Sequence, residues 1–250
     1  MSQMLYTDPR LVALYDALNP AGPDTAFYLQ LAQGAARIAD LGCGTGLLAC
    51  ALAQQGHRVT GIDPSPEMLR VARKRSHADE VTWIEGDAKA LAFTGPMDLV
   101  LMTRHVAQVF LDDDALLETL RAARYALRNG GRIAFDSRDP AAQAWERWTK
   151  AESARRIDVA GVGGVDVWHE RDATPDPQDA SSGGRVRFDT HYRFESTGET
   201  LVAASELRFR DQDELADLLT KAGFGTVERY GDWDRSGVSA ASRELIAVAS

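Results

Sequence analysis

The chain has 250 residues, 44% of them hydrophobic and 26% charged, which is ample for a packed core and argues against a disordered polymer. Its 28 basic and 37 acidic side chains leave a net charge of −9, a poor balance for gripping a polyanion. No basic leader followed by an apolar run is read at the start, no apolar stretch reaches bilayer length, and Cys43 and Cys50 make no disulfide scaffold, so a soluble cytoplasmic protein is expected.

The first 139 residues alternate short apolar runs with helical patterns. Strands are predicted over 36–41, 58–62, 81–84, 97–102 and 132–135. Between the first two, 47–55 reads as a helix. Ser65-Pro66-Glu67 announces another, with Ser as N-cap, Pro at the first helical position and an acidic first turn. Asp112 to Asp114 open a third helix, where Leu116, Leu120, Ala123 and Leu127 recur at helical spacing before Asn129-Gly130-Gly131 stops it. Alternation with short links predicts a parallel sheet covered by helices.

After Asp139 the rhythm changes. Residues 140–150 read as helical, and in 185–195 the residues Val186, Phe188, Thr190, Tyr192 and Phe194 share one face while charged residues and His191 share the other. That pattern predicts an antiparallel strand with one dry face, paired with 165–171 and 201–209, and 174–184 as an exposed loop tip. Strand–helix order resumes with a helix over 212–222 and strands over 225–230 and 244–249. Residues 140–210 are therefore an insertion, either a lid or a dimer element, in one domain whose core is 35–139 and 211–250, behind an N-terminal helical segment 1–34.

Asp40-Leu41-Gly42-Cys43-Gly44-Thr45-Gly46 sits where a strand passes into a helix. No lysine follows, which excludes a P-loop, and the G-x-G-x-G spacing departs from the dinucleotide fingerprint. Glycines at every second position let a backbone pass close under a ligand, and the helix start offers N–H groups to a carboxylate; a merely tight turn is the plain alternative. Asp63 ends the second strand, where a carboxylate could accept both hydroxyls of a ribose. Glu85-Gly86-Asp87-Ala88 follows the third, at the same edge, where ligands of open α/β sheets bind.

These residues resemble the class I S-adenosylmethionine-dependent methyltransferases. The glycine run looks like their first motif, Asp63 their ribose-binding acid and Glu85 to Ala88 their adenine-side motif, over about 35–139 and more loosely 211–250. The resemblance implies a Rossmann-like seven-stranded, mostly parallel sheet with helices on both faces and the last strand antiparallel. It implies S-adenosylmethionine as cofactor, with S-adenosylhomocysteine as product. Asp40, Gly42, Cys43, Gly44 and Gly46 would hold the methionine part, Asp63 the ribose, and Asp87 and Ala88 the adenine, with Pro64, Met68 and Gly86 also in the cofactor set. Thr103, Arg104 and Gln108 after the fourth strand, and Tyr15 from the N-terminal segment, complete the expected cofactor set. Cys43 reads as a small filler without thiol chemistry.

The segment from Thr103 to Phe110 has neither the Asn/Asp-Pro-Pro-aromatic run of base amino-methyltransferases nor a Pro-Cys nucleophile. With the acidic charge, this points away from nucleic acid and toward a small polar metabolite, N- or O-methylated by in-line displacement. His105 is the candidate base, or else a member of the cofactor shell. Asp136, Arg138 and Trp145 are candidate acceptor contacts, with a polar turn and core packing as the plain alternatives. His169 and His191 read as exposed strand residues, and Arg70, Arg73, Lys74 and Arg75 as a solvated face. No His/Cys/Asp spacing suggests a metal. Monomer or homodimer, with no membrane partner, is expected. Residues 140–250 carry 20 acidic against 14 basic side chains, favouring a neutral or cationic acceptor. Two other readings compete with the enzyme: a non-catalytic cofactor-binding protein and an NAD(P)-dependent oxidoreductase.

Overall fold

The computed structural model describes residues 4–171 and 184–250. Four helices come first: α1 (Met4–Thr7), α2 (Pro9–Val12), α3 (Tyr15–Leu18) and α4 (Pro23–Leu31). The alternating part follows as β1 (Arg37–Leu41), α5 (Leu47–Gln54), β2 (Arg58–Asp63), α6 (Pro66–Ala72), β3 (Val81–Glu85), β4 (Met97–Met102), α7 (Val106–Val109), α8 (Asp113–Ala126) and β5 (Leu127–Arg138). The insertion holds α9 (Lys150–Ser153), β6 (Arg155–Val159), β7 (Gly163–Arg171), β8 (Arg185–Phe194) and β9 (Thr200–Arg208). The chain then ends on α10 (Gln212–Lys221), β10 (Val227–Tyr230) and β11 (Glu244–Ala249).

Seven strands form one sheet in the order β10-β11-β5-β4-β1-β2-β3, parallel except for β11, which runs antiparallel to both β5 and β10. The strands are apolar because both faces are covered. Leu116, Leu120 and Ala123 of α8, with Leu215, Leu218 and Leu219 of α10, close one face; Phe27, Tyr28 and Leu31 of α4, with Leu48, Leu52 and Ala53 of α5, close the other. Ser65 caps α6 through a bond from Met68 N (3.1 Å), as its sequence position suggested. All parallel strands thus deliver their C-terminal ends to one rim, where turns are free to carry ligand contacts.

Several boundaries differ from the sequence reading. The helix expected over 140–150 breaks into 3₁₀ turns at Pro140–Ala142 and Ala144–Arg147, because Gln143 takes a left-handed backbone (φ 44°). Helix α8 ends at Ala126, and Asn129-Gly130-Gly131 lies inside β5 near an irregularity in its pairing with β4. Strand β6 went unseen, its alternation being masked by arginines. Residues 174–183 of the expected loop tip lie outside the described residues.

The insertion is a second, four-stranded antiparallel sheet, β6-β7-β8-β9. Its dry face does not stand open. Val165, Val167, Tyr192, Phe194, Leu201 and Ala203 bury Leu11 and Leu14 of the N-terminal segment, with Met4, Leu5 and Leu18 at the margin. Leu11 and Leu14 are fully buried, each worth about 2 kcal/mol of transfer free energy. The N-terminal helices therefore form a strap whose one side packs on the insertion. No helix among the described residues is long and apolar enough to cross a membrane.

Candidate functional site

The other side of the strap roofs a cavity of about 540 Å³ over the C-terminal ends of β1, β2 and β3, a volume within the range of small-molecule sites. Tyr6, Tyr15 and Asn19 look down on Asp40, the glycine turn, Asp63 and Asp87. Polar clamps hold the strap in place. Arg75 donates to the Thr45 carbonyl and pairs with Asp16, which also accepts from Thr45 Oγ1 (2.6 Å). Ser65 Oγ donates to the Tyr6 carbonyl. Arg104 donates to the carbonyls of Asn19 (2.7 Å) and Pro20 (3.0 Å). Arg75 is thus no solvated residue, as its helical position had suggested, but a staple.

The glycine turn contributes room more than hydrogen bonds. The amides of Gly42 and Cys43 donate to the Ile62 carbonyl (2.8 and 3.1 Å) and that of Gly46 to the Cys43 carbonyl (2.9 Å), so these donors are spent inside the fold. A Cβ on Gly44 would meet nothing nearer than Tyr15 at 3.9 Å, so the backbone there is open to a ligand. Gly46 differs: a Cβ would stand 2.6 Å from Trp83 and 2.9 Å from Ala72. It faces protein, not the cavity, and its glycine answers to packing and a left-handed φ of 76°.

Three carboxylates meet the cavity in different states. Asp63 accepts from Gly44 N and Ser65 N, each at 2.8 Å and one on each oxygen, which leaves a lone pair per oxygen for ligand hydroxyls. Burial pushes its carboxyl up while those amides hold it down. Asp40 is 1% exposed and its Oδ1 has no partner; burial, reinforced by Asp63, pushes its carboxyl up to about 7. An unpartnered buried carboxylate oxygen calls for a cationic or donor group from a ligand. Asp87 is exposed and caps the turn after β3, accepting from Lys89 N (2.9 Å).

Pro64, Met68, Gly86, Ala88, Cys43, Thr103 and Arg104 also line the cavity, whereas Gln108 and His105 do not. Those two belong to a polar cluster at the adjoining part of the rim, over β4, β5 and β11. Arg104 and His105 both adopt left-handed backbone (φ 59° and 63°), which aims their successive amides at the Asp136 carboxylate (3.0 and 2.8 Å). Tyr28 donates to the same carboxylate (2.6 Å). Asp136 is therefore 1% exposed with both oxygens engaged; it positions the turn and is closed to an acceptor.

The turn carries His105, whose Nε2 bonds Glu244 Oε2 at 2.9 Å. Burial disfavours charge on both partners, driving the imidazole down to about 4, helped by Arg138, and the Glu244 carboxyl up to about 7. His105, Asp136 and Glu244 place one ligand atom each within 4.8 Å of one another, a metal-sized trio that sequence spacing could not reveal because it joins three strands. Asp136 already accepts three hydrogen bonds there, and His105 is paired with Glu244. Arg138 donates to Gln108 Oε1 (2.9 Å) and lies over the Trp148 ring. Trp145 is buried edge-on against Phe209 at 4.5 Å, a packing role away from the cavity.

His169 and His191 are half-buried, not exposed: the first bonds Thr190 Oγ1 (3.0 Å) on the dry face, the second stacks on Trp168 at 4.8 Å. Sequence reasoning missed Glu244, Tyr28 and Asn19. Glu244 had one usable signal: a final strand antiparallel to β5 starts at the rim where β5 ends, and Glu244 pairs in register with Arg138.

Residues 38–131 match a family described as Methyltransferase domain. The chain is 35% identical over 104 residues to a cypemycin N-terminal methyltransferase of a Streptomyces species, a match that covers 42% of each chain. The chain thus spans less than half the length of the curated relatives it matches. The CcbJ methyltransferase structure from Streptomyces caelestis superposes with TM-score 0.73 at 22% identity, covering 96% of this chain and 95% of that one. The sugar N-methyltransferase KedS8 from Streptoalloteichus gives 0.70 at 18% identity, covering 94% and 90%. At these identities the structures speak to the fold alone.

Proposed function

We propose that this chain, whose residues 38–131 match a methyltransferase domain, is a class I S-adenosylmethionine-dependent methyltransferase that transfers a methyl group from that cofactor to a nitrogen or oxygen of a small polar metabolite. The observation that carries the reading is the cavity with its unpartnered Asp40 Oδ1 beside the doubly anchored Asp63. These residues fit the cofactor. Asp40 offers its free oxygen to an ammonium group, Gly44 leaves the backbone open, Asp63 has an acceptor site left on each oxygen for two ribose hydroxyls, and Asp87 lies at the far wall for an exocyclic amine. When bound, S-adenosylmethionine supplies a methyl group on a sulfonium that is already electrophilic, so positioning and exclusion of water matter more than covalent help.

The strap supplies that exclusion. Tyr6 and Tyr15 cover the cavity and their clamps to Thr45, Ser65 and Arg104 keep them there. At the adjoining cluster burial keeps His105 neutral, and Glu244, whose carboxyl is raised to about 7, is the member of the hydrogen-bonded pair able to hold the acceptor's proton near neutral pH. Asp136 positions His105 through the turn. Residues 35–139 with 211–250 act as the cofactor-binding core, and 140–210 as the element that shapes acceptor choice.

Calorimetric titration tests the reading directly: S-adenosylhomocysteine binds at micromolar concentration and NAD(P) does not. Absence of S-adenosylhomocysteine binding refutes it. Turnover of labelled S-adenosylmethionine on a panel of small amines and hydroxyl compounds then separates the enzyme from a protein that only binds.

A further inference from the structure

Arg138 closes β5 opposite Glu244 and departs from the other inward-turned arginines. Arg75 reaches Asp16 and a carbonyl, Arg104 reaches two carbonyls and Asp24, and Arg210 reaches Asp113 and two carbonyls. Among the described residues the Arg138 guanidinium has one hydrogen-bond partner, the neutral Gln108 Oε1; Glu244 and Asp136 attract it electrostatically, but neither closes on it as an ion pair. The same Gln108 carboxamide is wholly buried and its Nε2 has no acceptor. Two neighbouring donor groups therefore lack an oxygen that the chain does not provide, a deficit that buried polar groups rarely carry without a ligand.

Their surroundings mark a place between three parts of the molecule. Trp148 of the insertion stacks 5.7 Å from the guanidinium carbon. His169, on the dry face of the insertion, is driven down to about 4 by burial and by Arg155 and Arg138, so it adds no charge. Tyr6, a cavity wall, lies within electrostatic reach of Arg138 on one side and Asp63 on the other. Glu244, across the strand pair, leads to His105.

We propose that Arg138 is the specificity residue for the acceptor and binds its carboxylate, with Gln108 Nε2 as second donor, while the acceptor's amino group turns to the His105–Glu244 pair. The acceptor class is then an amino acid or a similar small zwitterion, neutral overall as the acidic surroundings favour. Planar guanidinium–carboxylate pairing gives the orientation that in-line displacement needs.

The inference rests on the methyl-transfer reading above, and two binding measurements keep them apart. Calorimetry with S-adenosylhomocysteine reads the cofactor cavity. Glycine, acetate and ethylamine, titrated by NMR with S-adenosylhomocysteine present, read the acceptor side. Glycine and acetate bind the native protein, and Arg138→Met weakens both by about tenfold or more while leaving ethylamine and S-adenosylhomocysteine within about twofold. Arg138→Lys, which keeps the charge and loses the fork, recovers part of the loss. Acetate and glycine that fail to bind, or that bind Arg138→Met equally well, overturn the inference. Loss of S-adenosylhomocysteine binding alone, with acetate still dependent on Arg138, overturns the methyl-transfer reading instead.

Discussion

The cavity over β1 to β3 and the polar cluster over β4, β5 and β11 share one rim, yet they are built on different principles. The cavity floor is local: Asp40, Gly44, Asp63 and Asp87 come from one unbroken run of strand–helix units, and each turn is placed by its own strand and the neighbouring one. The cluster is long-range. Tyr28 meets Asp136, and His105 meets Glu244, across more than a hundred residues of chain. The cavity leaves space and unspent acceptors, whereas the cluster pairs side chains across the sheet and leaves donors to spare at Arg138 and Gln108. A cofactor shared by many enzymes suits the first design, because one motif suffices. An individual acceptor suits the second, because changing one strand end alters the chemistry without touching the cavity.

Substitutions can break that division in order of expected effect. Gly46→Ala drives a Cβ into Trp83 and lowers stability by about 3 kcal/mol or more, seen as a fall in Tm, whereas Gly44→Ala costs only about 1–2 kcal/mol of backbone strain but blocks cofactor binding in calorimetry. Asp63→Ala weakens S-adenosylhomocysteine by about 2–3 kcal/mol, since it removes ligand acceptors and also frees the Gly44 and Ser65 amides; an unchanged dissociation constant would remove Asp63 from the ribose role. Glu244→Gln lowers kcat/KM by about 10²-fold and flattens the rise of rate through pH 7, with S-adenosylhomocysteine affinity within about twofold. If affinity falls instead, the two regions are not separable.

The smallest effect is on pH dependence. Burial raises Asp40 to about 7, so the free protein loses stability as pH climbs from the ordinary carboxylate range to 7, with no further loss above it. A ligand ammonium favours the ionised form. S-adenosylhomocysteine binding therefore tightens between pH 6 and 7.5, levels off above, and releases a proton measurable as a buffer-dependent heat. Asp40→Asn removes both the tightening and the proton release.

Much of this was legible in the residue order because periodicity and turn chemistry are local. The strand end at Leu41, those at Asp63 and Glu85 to within one residue, the Ser65 cap and the dry face of β8 all followed from spacing. Gly46 was misjudged for a physical reason: a glycine needed for close packing and one needed for ligand approach look alike until the neighbour, here Trp83, is placed. Asp136 was misjudged because a carboxylate at a strand end serves a backbone turn as readily as a ligand. His169 and the Pro140–Lys150 stretch failed where insertion and core meet, since neither pattern records what lies across the gap.

By itself, then, the sequence determined the parallel sheet, the rim at its strand ends and the carboxylates that line the cavity there, because each depends mainly on contacts within neighbouring strand–turn–helix units. Only the tertiary structure decided that the N-terminal helices strap the cavity to the insertion, that His105 pairs with Glu244, and that Arg138 has a single hydrogen-bond partner among the described residues. Those facts depend on which distant segments share a buried space, and burial is what leaves Asp40 and Gln108 unpartnered and shifts the His105–Glu244 pair.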